Sequence, residues 1–139
     1  MPPVVRRART ADVPAIKAIV DVYAGSGRRM LAKELVTLYE DVQDFKVAEL
    51  DGEVVGCGAL HVLWADLGEI RTVAVRPDHH GTGIGRQLLD ALIATARELG
   101  LARLFALTFQ TDFFGRAGFV EIEGAPVDHD TYDALRRSY

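Results

Sequence analysis

A glycine-rich turn between a strand-like run and an amphipathic helix constrains the fold of this chain more than any other feature. Residues His80 to Arg86 read His-Gly-Thr-Gly-Ile-Gly-Arg, and apolar residues recur at helical spacing from Ile84 to Leu99. Backbone N–H groups converge at such a turn, beside the positive end of the helix dipole. The turn therefore predicts a pyrophosphate site, and a purely structural role as a sharp turn stays open at this point.

Two common nucleotide-binding motifs do not fit this turn. A Rossmann motif places its glycines directly after a strand, whereas here Arg76 to His80 intervene and Arg86 stands at the last glycine position. A P-loop needs Lys and then Ser or Thr after its last glycine, and neither follows Gly85. The turn indicates a different phosphate-binding architecture.

Periodicity along the rest of the chain predicts an α/β (α+β) fold with a mixed, mostly antiparallel sheet and helices on both faces. Strands are expected over Val4 to Arg9, Phe45 to Leu50, Glu53 to Leu63, Gly68 to Val75, Arg103 to Thr108 and Phe119 to Glu123. Helices are expected from Asp12 to Gly25, Leu31 to Val42, Ile84 to Leu99, Thr111 to Ala117 and Thr131 to Arg137. Asp51-Gly52 predicts a tight antiparallel hairpin, and the later strand–helix–strand crossover predicts one parallel pair.

Composition and charge exclude several classes of protein. The 139 residues are 49% hydrophobic and 26% charged, which predicts a single domain over 1–139 with one packed core. The net charge of −4 and the lack of a basic run argue against nucleic acid as a partner. No segment reaches the roughly 20 apolar residues of a membrane span, and no metal site is expected. The lone Cys57 and the absence of a signal-like start predict a cytoplasmic protein without disulfides.

Two motifs resemble the GNAT acetyltransferase family. That family's pyrophosphate loop, Gln/Arg-x-x-Gly-x-Gly/Ala, follows a strand ending in Val-x-Pro, and this chain has Val73 to Pro77 and then His80 to Gly85. His80 replaces the usual Gln or Arg, which leaves main-chain binding intact. The segment Phe113 to Phe119 matches the family's Phe-Tyr-x-x-x-Gly-Phe. The resemblance spans essentially the whole chain.

The resemblance implies that acetyl-CoA is the acetyl donor. In the family, the strand corresponding to Glu69 to Val75 splays from its parallel neighbour, here Arg103 to Thr108, and the pantetheine arm fills the gap. The expected cofactor-binding residues are Val73, Ala74, Val75, Gly81, Thr82, Gly83, Ile84, Gly85, Arg86 and Phe114.

The resemblance also implies a general base that deprotonates the amine, whereas the family's usual general acid is replaced in this chain. Attack on the thioester needs a neutral amine, and Glu69 stands where the family often keeps a glutamate that accepts the proton. Phe114 replaces the tyrosine that commonly protonates the leaving thiolate. The thiolate is therefore expected to take its proton from water or from the substrate, or to leave without a dedicated acid. Cys57 could form an acetyl-cysteine intermediate, but its position between two glycines favours a packing role. His61, on the same strand face, is a secondary candidate near the acceptor.

Within the family, the chain resembles the acetyltransferase domain of N-acetylglutamate synthases, in the short actinobacterial form that lacks an amino-acid kinase domain. That resemblance implies acetylation of L-glutamate, the first step of arginine biosynthesis. A dicarboxylate needs cationic partners, and arginine binds a carboxylate at two points. The expected acceptor-binding residues are Arg28, Arg29, Lys33 and Arg71, each of which could instead be a solvated surface charge.

Three questions stay open from the sequence. The acceptor could be glutamine, a polyamine or a protein N-terminus, and the chain could also be a non-catalytic acetyl-CoA-binding module. The family's final strand, which follows the segment resembling Arg136 to Tyr139, is missing here. Truncation, a natural short form and a homodimer in which the partner subunit lends that strand all fit.

Overall fold

The computed structural model of the chain describes residues 2–25, 34–107 and 110–122. Its strands are β1 (Val4–Arg7), β2 (Phe45–Leu50), β3 (Glu53–Trp64), β4 (Leu67–Val75) and β5 (Arg103–Phe105). Its helices are α1 (Val13–Gly25), α2 (Leu35–Glu40), α3 (Ile84–Leu99) and α4 (Thr111–Arg116). None of the helices in these ranges is long and apolar enough to cross a membrane.

The five strands form one sheet in the order β1-β2-β3-β4-β5. Neighbouring strands are antiparallel from β1 to β4, and β4 and β5 are parallel. Asp51 and Gly52, with φ of 52° and 82°, form the tight turn between β2 and β3 because both residues adopt the left-handed conformation that such turns require. The predicted hairpin and the single parallel pair are confirmed.

Helices cover both faces of the sheet, which confirms the predicted fold class. On the α1 face, residues of α1 and α2 pack against strand residues in one cluster that includes Val13, Ile16, Val20, Leu38, Phe45, Cys57 and Ala59. On the α3 face, residues of α3 and α4 pack against β3 and β4 in a second cluster that includes Leu60, Ile70, Leu89, Leu92 and Phe114. The two clusters hold β4, the strand expected to bind the cofactor, between helices on either side.

The middle of β4 contains a β-bulge that the sequence does not predict. Cys57 and Ala59 of β3 pair with Ala74 and Arg71 of β4, so β4 has one more residue than β3 in this stretch. Thr72 takes up the extra residue with a φ of 59°. Pairing of β4 with β5 ends at Glu69 opposite Phe105. Beyond Glu69, β4 is therefore no longer paired with β5 among the described residues, as a splay of the two strands requires.

Several predicted boundaries need correction. The first strand ends at Arg7 because the Arg9 N–H donates to Asp12 Oδ2 at 2.7 Å, which turns the chain into a short 3-10 helix before α1. The parallel strand ends at Phe105, residues 106–107 are irregular, and Thr108 lies outside the described residues.

The strand expected over Phe119 to Glu123 is wrong for residues 119–122, which are irregular. Val120 and Ile122 are 82% and 61% exposed, and no described strand pairs with this segment. Alternating apolar residues therefore do not suffice without a neighbouring strand edge. Glu123, Leu31 and the helix expected from Thr131 to Arg137 lie outside the described residues.

Candidate active site

The glycine turn before α3 is shaped to receive an anion. Gly81 and Gly83 have φ of 77° and 85°, a conformation that favours glycine. A Cβ added at either glycine would meet nothing within 4 Å, so the space over the turn is open. The Thr82 hydroxyl donates to the carbonyl of His79 at 2.6 Å and braces the turn. The first N–H groups of α3, which have no helical partner, open onto the same space.

The side chains that follow the turn have structural roles. Ile84 is buried in the core, and a Cβ on Gly85 would lie 3.3 Å from Phe113 Cε1, so glycine lets α3 approach α4 closely. Arg86 bonds Asp90 at 2.9 Å and donates to the carbonyl of Arg116 at 3.2 Å. These three residues therefore offer an anion their main-chain groups.

On the edge of β4, one main-chain acceptor points away from β3. The Arg76 N–H donates to Val55 O in β3 at 2.8 Å, so the other end of that trans peptide, Val75 C=O, points away from β3. Because main-chain groups alternate in direction along a strand, the N–H and C=O groups of Ala74 point toward β3 instead, where Ala74 pairs with Cys57. Val75 thus has the orientation that binding of an extended ligand requires, and Ala74 does not.

Tyr23 of α1 is a residue of this site that none of the sequence motifs indicates. Its hydroxyl donates to Val75 O and contacts Nε2 of His80, on which its ring stacks with centroids 5.9 Å apart. Because a carbonyl can only accept, the Tyr23 proton is committed to Val75, and His80 Nε2 must donate to Tyr23. The available signal was a tyrosine on an otherwise aliphatic helix face.

Phe114 belongs to the core rather than to an open site. It is 8% exposed and makes edge-on contacts with Phe113 and Phe119, at centroid distances of 5.1 and 5.2 Å. A phenyl ring has no proton to give, so this position supplies no general acid.

Glu69, which is buried, and Arg71, which is partly buried, form an ion pair on the α1 face of β4. Residues two apart on a strand share a face, and Arg71 Nε donates to Glu69 Oε1 at 2.6 Å. Glu69 is 3% exposed, and buried carboxylates are rare unless they are paired. The pair lies at the point where β4 and β5 separate.

His61 and Asp44 extend this pair into a polar cluster. His61 stands directly opposite Glu69 in the β3–β4 ladder, so the two side chains share the α1 face. Its Nδ1 lies 3.7 Å from Asp44 Oδ2. Partial burial and then the carboxylate of Asp41 raise the pKa of Asp44, while Arg71 opposes that rise. Asp44, His61, Glu69 and Arg71 are called the Glu69 cluster below.

Cys57 has the packing role that the sequence favoured. It is completely buried, and its thiol donates to the carbonyl of Thr72 at 3.5 Å, across from the bulge. Burial raises the pKa of this thiol to about 12, so almost none of it is thiolate at neutral pH. An acetyl-cysteine intermediate is chemically disfavoured.

Replacing Cys57 is therefore expected to leave catalysis unchanged. Cys57→Ala should turn over at close to the wild-type rate. In the folded wild type, a pKa raised from 9.0 to about 12 should slow alkylation by iodoacetamide on the order of 10³-fold relative to the unfolded chain. Mass spectrometry of timed alkylation in buffer and in urea measures both rates. Equal rates, or an inactive but folded Cys57→Ala, would restore the covalent route.

The remaining acceptor candidates, Arg28, Arg29 and Lys33, lie outside the described residues. They follow α1 in the chain, and α1 covers the sheet face that carries the Glu69 cluster.

Known proteins match both the sequence and this architecture. The profile of the Acetyltransferase (GNAT) family matches residues 17–119. An amino-acid acetyltransferase of Mycobacterium tuberculosis is 63% identical over 140 residues, which cover 99% of this chain and 79% of the relative. An uncharacterized N-acetyltransferase of Chlorobaculum tepidum is 41% identical over 119 residues, 86% of this chain and 76% of the relative.

Solved structures agree. Rv2747 of Mycobacterium tuberculosis, in complex with CoA and NLQ, has a TM-score of 0.90 and 62% identity over 99% of this chain and 83% of its own. N-acetylglutamate synthase of Neisseria gonorrhoeae, complexed with coenzyme A and N-acetyl-glutamate, has a TM-score of 0.87 and 31% identity over 98% of this chain and 32% of its own. Sequence, topology and the glycine turn lead to one conclusion: this chain belongs to the GNAT acetyltransferase family.

Proposed function

We propose that this chain transfers the acetyl group of acetyl-CoA to the α-amine of L-glutamate, giving N-acetyl-L-glutamate for arginine biosynthesis. The observation that carries the proposal is the Glu69–Arg71 pair at the point where the pairing of β4 with β5 ends. Glu69 can accept a proton there, and Arg71 can bind a carboxylate. The names of the relatives support it, because the Mycobacterium tuberculosis protein is an amino-acid acetyltransferase and the Neisseria gonorrhoeae enzyme was crystallised with N-acetyl-glutamate.

The residues around the glycine turn and the β4 edge fit acetyl-CoA, which supplies an acetyl group activated as a thioester. Main-chain N–H groups from Gly81 to Arg86 would bind the pyrophosphate in the open space over the turn. Main-chain groups of Val73 and Val75 would bind the pantetheine amides as an added strand does. The bulge at Thr72 lies in the part of β4 that is not paired with β5.

Glu69 is proposed as the general base. The α-amine of a free amino acid is mostly protonated at neutral pH, and only the neutral amine attacks a thioester. The Glu69 carboxylate is buried, and the 2.6 Å bond from Arg71 Nε to its Oε1 holds it in place on the α1 face of β4.

Arg71 is proposed to bind a carboxylate of the acceptor as well as Glu69. Arg71 is 17% exposed at the Glu69 site, and its planar guanidinium can bind a carboxylate at two points. Arg28, Arg29 and Lys33 are proposed to supply the second anion site, because they come soon after α1 in the chain and α1 covers the sheet face that carries Glu69 and Arg71.

Arg71→Lys is expected to raise the KM for glutamate. Lysine keeps the positive charge beside Glu69 but loses the planar two-point contact with a carboxylate. Loss of one bond to a charged group, about 1.5–3 kcal/mol, corresponds to a rise of roughly 10- to 100-fold. Steady-state kinetics should show this rise while the KM for acetyl-CoA stays unchanged. A normal KM for glutamate would remove Arg71 from the acceptor site.

A panel of amines tests the proposed function. The chain is incubated with acetyl-CoA and each acceptor in turn, and release of free CoA thiol is followed. The panel holds glutamate, aspartate, glutamine, putrescine and a peptide with a free N-terminus. The highest kcat/KM is expected for glutamate, because it presents an α-amine and two carboxylates. A preference for putrescine or the peptide would contradict the proposal, and a preference for glutamine would contradict a second anion site.

A further inference from the structure

The proposed acetyl-CoA site has two parts that a short connecting segment joins. Val75, the last residue of β4, offers a main-chain acceptor, and the glycine turn begins at Gly81. The connecting segment runs from Arg76 to His80 and contains a short 3-10 helix, Pro77–His79. Acetyl-CoA would contact both parts at once, and two linked groups reinforce each other's binding only where their sites have the matching separation. Affinity for acetyl-CoA therefore depends on how the connecting segment places the turn relative to Val75.

We propose that Tyr23 is a positioning residue that fixes this separation, an inference that rests on the proposed binding of acetyl-CoA at the β4 edge and the glycine turn. The Tyr23 hydroxyl donates to Val75 O at one end of the connecting segment and contacts His80 Nε2 at the other. The rings of Tyr23 and His80 stack with centroids 5.9 Å apart and an interplanar angle of 22°. One side chain of α1 thus ties the end of β4 to the residue that precedes the glycine turn.

The two ends of this bridge differ in how firmly they are held. Tyr23 is buried and packs in the same core cluster as Ile19, Val20 and Ala74. His80 lies at the surface and is exposed. Because a ring packed in the core has few alternative positions, the contact restricts His80 more than it restricts Tyr23. The bridge therefore fixes the start of the turn against the body of the protein.

The connecting segment can pass this restraint on, because hydrogen bonds of its own hold it together. The His79 N–H donates to Arg76 O at 2.9 Å, and the His80 N–H donates to Pro77 O at 3.3 Å. The Thr82 hydroxyl donates to His79 O at 2.6 Å, which joins the segment to the turn. A restraint on His80 is therefore also a restraint on the glycine turn.

The contact with Tyr23 leaves Val75 able to bind the cofactor. A carbonyl oxygen has two lone pairs, so Val75 O can accept from Tyr23 and from a pantetheine amide together. The stretch of β4 from Glu69 to Val75 is roughly 15–20 Å long at about 3.3 Å per residue. Tyr23 is therefore far from the proposed base, and its effect is expected on binding of acetyl-CoA rather than on acetyl transfer.

Tyr23→Phe tests the bridge, because it removes the hydroxyl and keeps the ring that packs in the core. Without the bridge, the protein spends less time in the arrangement that binds both parts of acetyl-CoA, and the apparent dissociation constant rises as that fraction falls. Calorimetry should show an affinity for acetyl-CoA about 3- to 10-fold lower than that of the wild type. The kcat at saturating substrates should stay close to the wild-type value. Tyr39→Phe, which changes an exposed tyrosine of α2, is the matched control and should bind acetyl-CoA normally.

ADP separates a positioning role from damage to the turn itself. ADP carries a pyrophosphate but no pantetheine, so it engages the turn alone and does not depend on the separation from Val75. Tyr23→Phe should bind ADP with wild-type affinity in the same calorimetric titration. Equal losses of affinity for ADP and acetyl-CoA would overturn the proposal.

Two substitutions of His80 test the other end of the bridge. His80→Gln loses the stacked ring but keeps an N–H donor, and it should retain most of the affinity for acetyl-CoA. His80→Leu loses the ring and the donor, and its affinity should fall as far as that of Tyr23→Phe. Equal affinities of the two His80 variants would contradict a hydrogen-bonded bridge.

The sign of the effect in Tyr23→Phe is decisive. Unchanged affinity for acetyl-CoA would overturn the proposal, and tighter binding would also overturn it, because the hydroxyl would then compete with the cofactor for Val75 O. A wild type that acetylates glutamate while Tyr23→Phe binds acetyl-CoA normally fails this inference alone and keeps the proposed function. A wild type that binds no acetyl-CoA overturns both.

Discussion

Gly83→Val is expected to abolish acetyl-CoA binding. Gly83 has a φ of 85°, which a β-branched residue adopts only at a cost of about 1–2 kcal/mol. Its missing Cβ faces open space, where a valine would stand in the proposed pyrophosphate site. Loss of two charge-assisted bonds, at about 1.5–3 kcal/mol each, weakens affinity at least 10²-fold. Calorimetric titration with acetyl-CoA measures the change.

Two further variants separate the ligand effect from backbone strain. Gly100→Val introduces the same strain, at a φ of 84° in equally open space, but at the far end of α3. It should lower the melting temperature and leave acetyl-CoA affinity intact. Gly83→Asn adds a side chain in a residue type that tolerates the left-handed region. This variant should therefore fold normally, and its affinity for acetyl-CoA should still be reduced. Wild-type affinity in Gly83→Asn would contradict a pyrophosphate site at this turn.

Glu69→Gln is expected to lower kcat by on the order of 10²–10⁴ at neutral pH with acetyl-CoA affinity nearly unchanged. Glutamine keeps the shape of the side chain and an oxygen for Arg71 Nε but cannot take a proton. The deficit should shrink as pH rises, because more of the amine is then neutral without a base. Full pH profiles of kcat for both proteins measure this.

Glu53→Gln is the matched control for that substitution. Glu53 is also a strand glutamate paired with an arginine, at 3.2 Å from Arg76, but its side chain is 72% exposed. Its variant should keep the wild-type profile. If Glu69→Gln kept the wild-type kcat at neutral pH, Glu69 would be a structural partner of Arg71, and the proton would leave by another group.

Local signals in the sequence predict much of this fold. Asp51-Gly52 predicts the β2–β3 turn because aspartate and glycine both tolerate the left-handed conformation that this turn requires. The glycines before Ile84 and the glycine cap at Gly100 bound α3 in the same way. That Glu69 and Arg71 share a face also follows from strand periodicity alone.

Features that depend on partners distant in sequence could not be predicted. The bulge at Thr72 depends on the register between β3 and β4. A positive φ is unusual for threonine, so the residue type does not predict it. The contact of Tyr23 with Val75 joins a helix to a strand edge across 52 residues. The position of His61 opposite Glu69 depends on the same register, so the sequence could name His61 only as a secondary candidate.

Identification of the acetylated product tests whether this chain acetylates L-glutamate. The chain is incubated with L-glutamate and acetyl-CoA that carries a carbon-13 label in its acetyl group, and the product is analysed by NMR and mass spectrometry. We expect one labelled product, N-acetyl-L-glutamate, formed in equal amount with free CoA and with no label on the protein. Release of CoA without labelled glutamate, or label retained on Cys57, would contradict it.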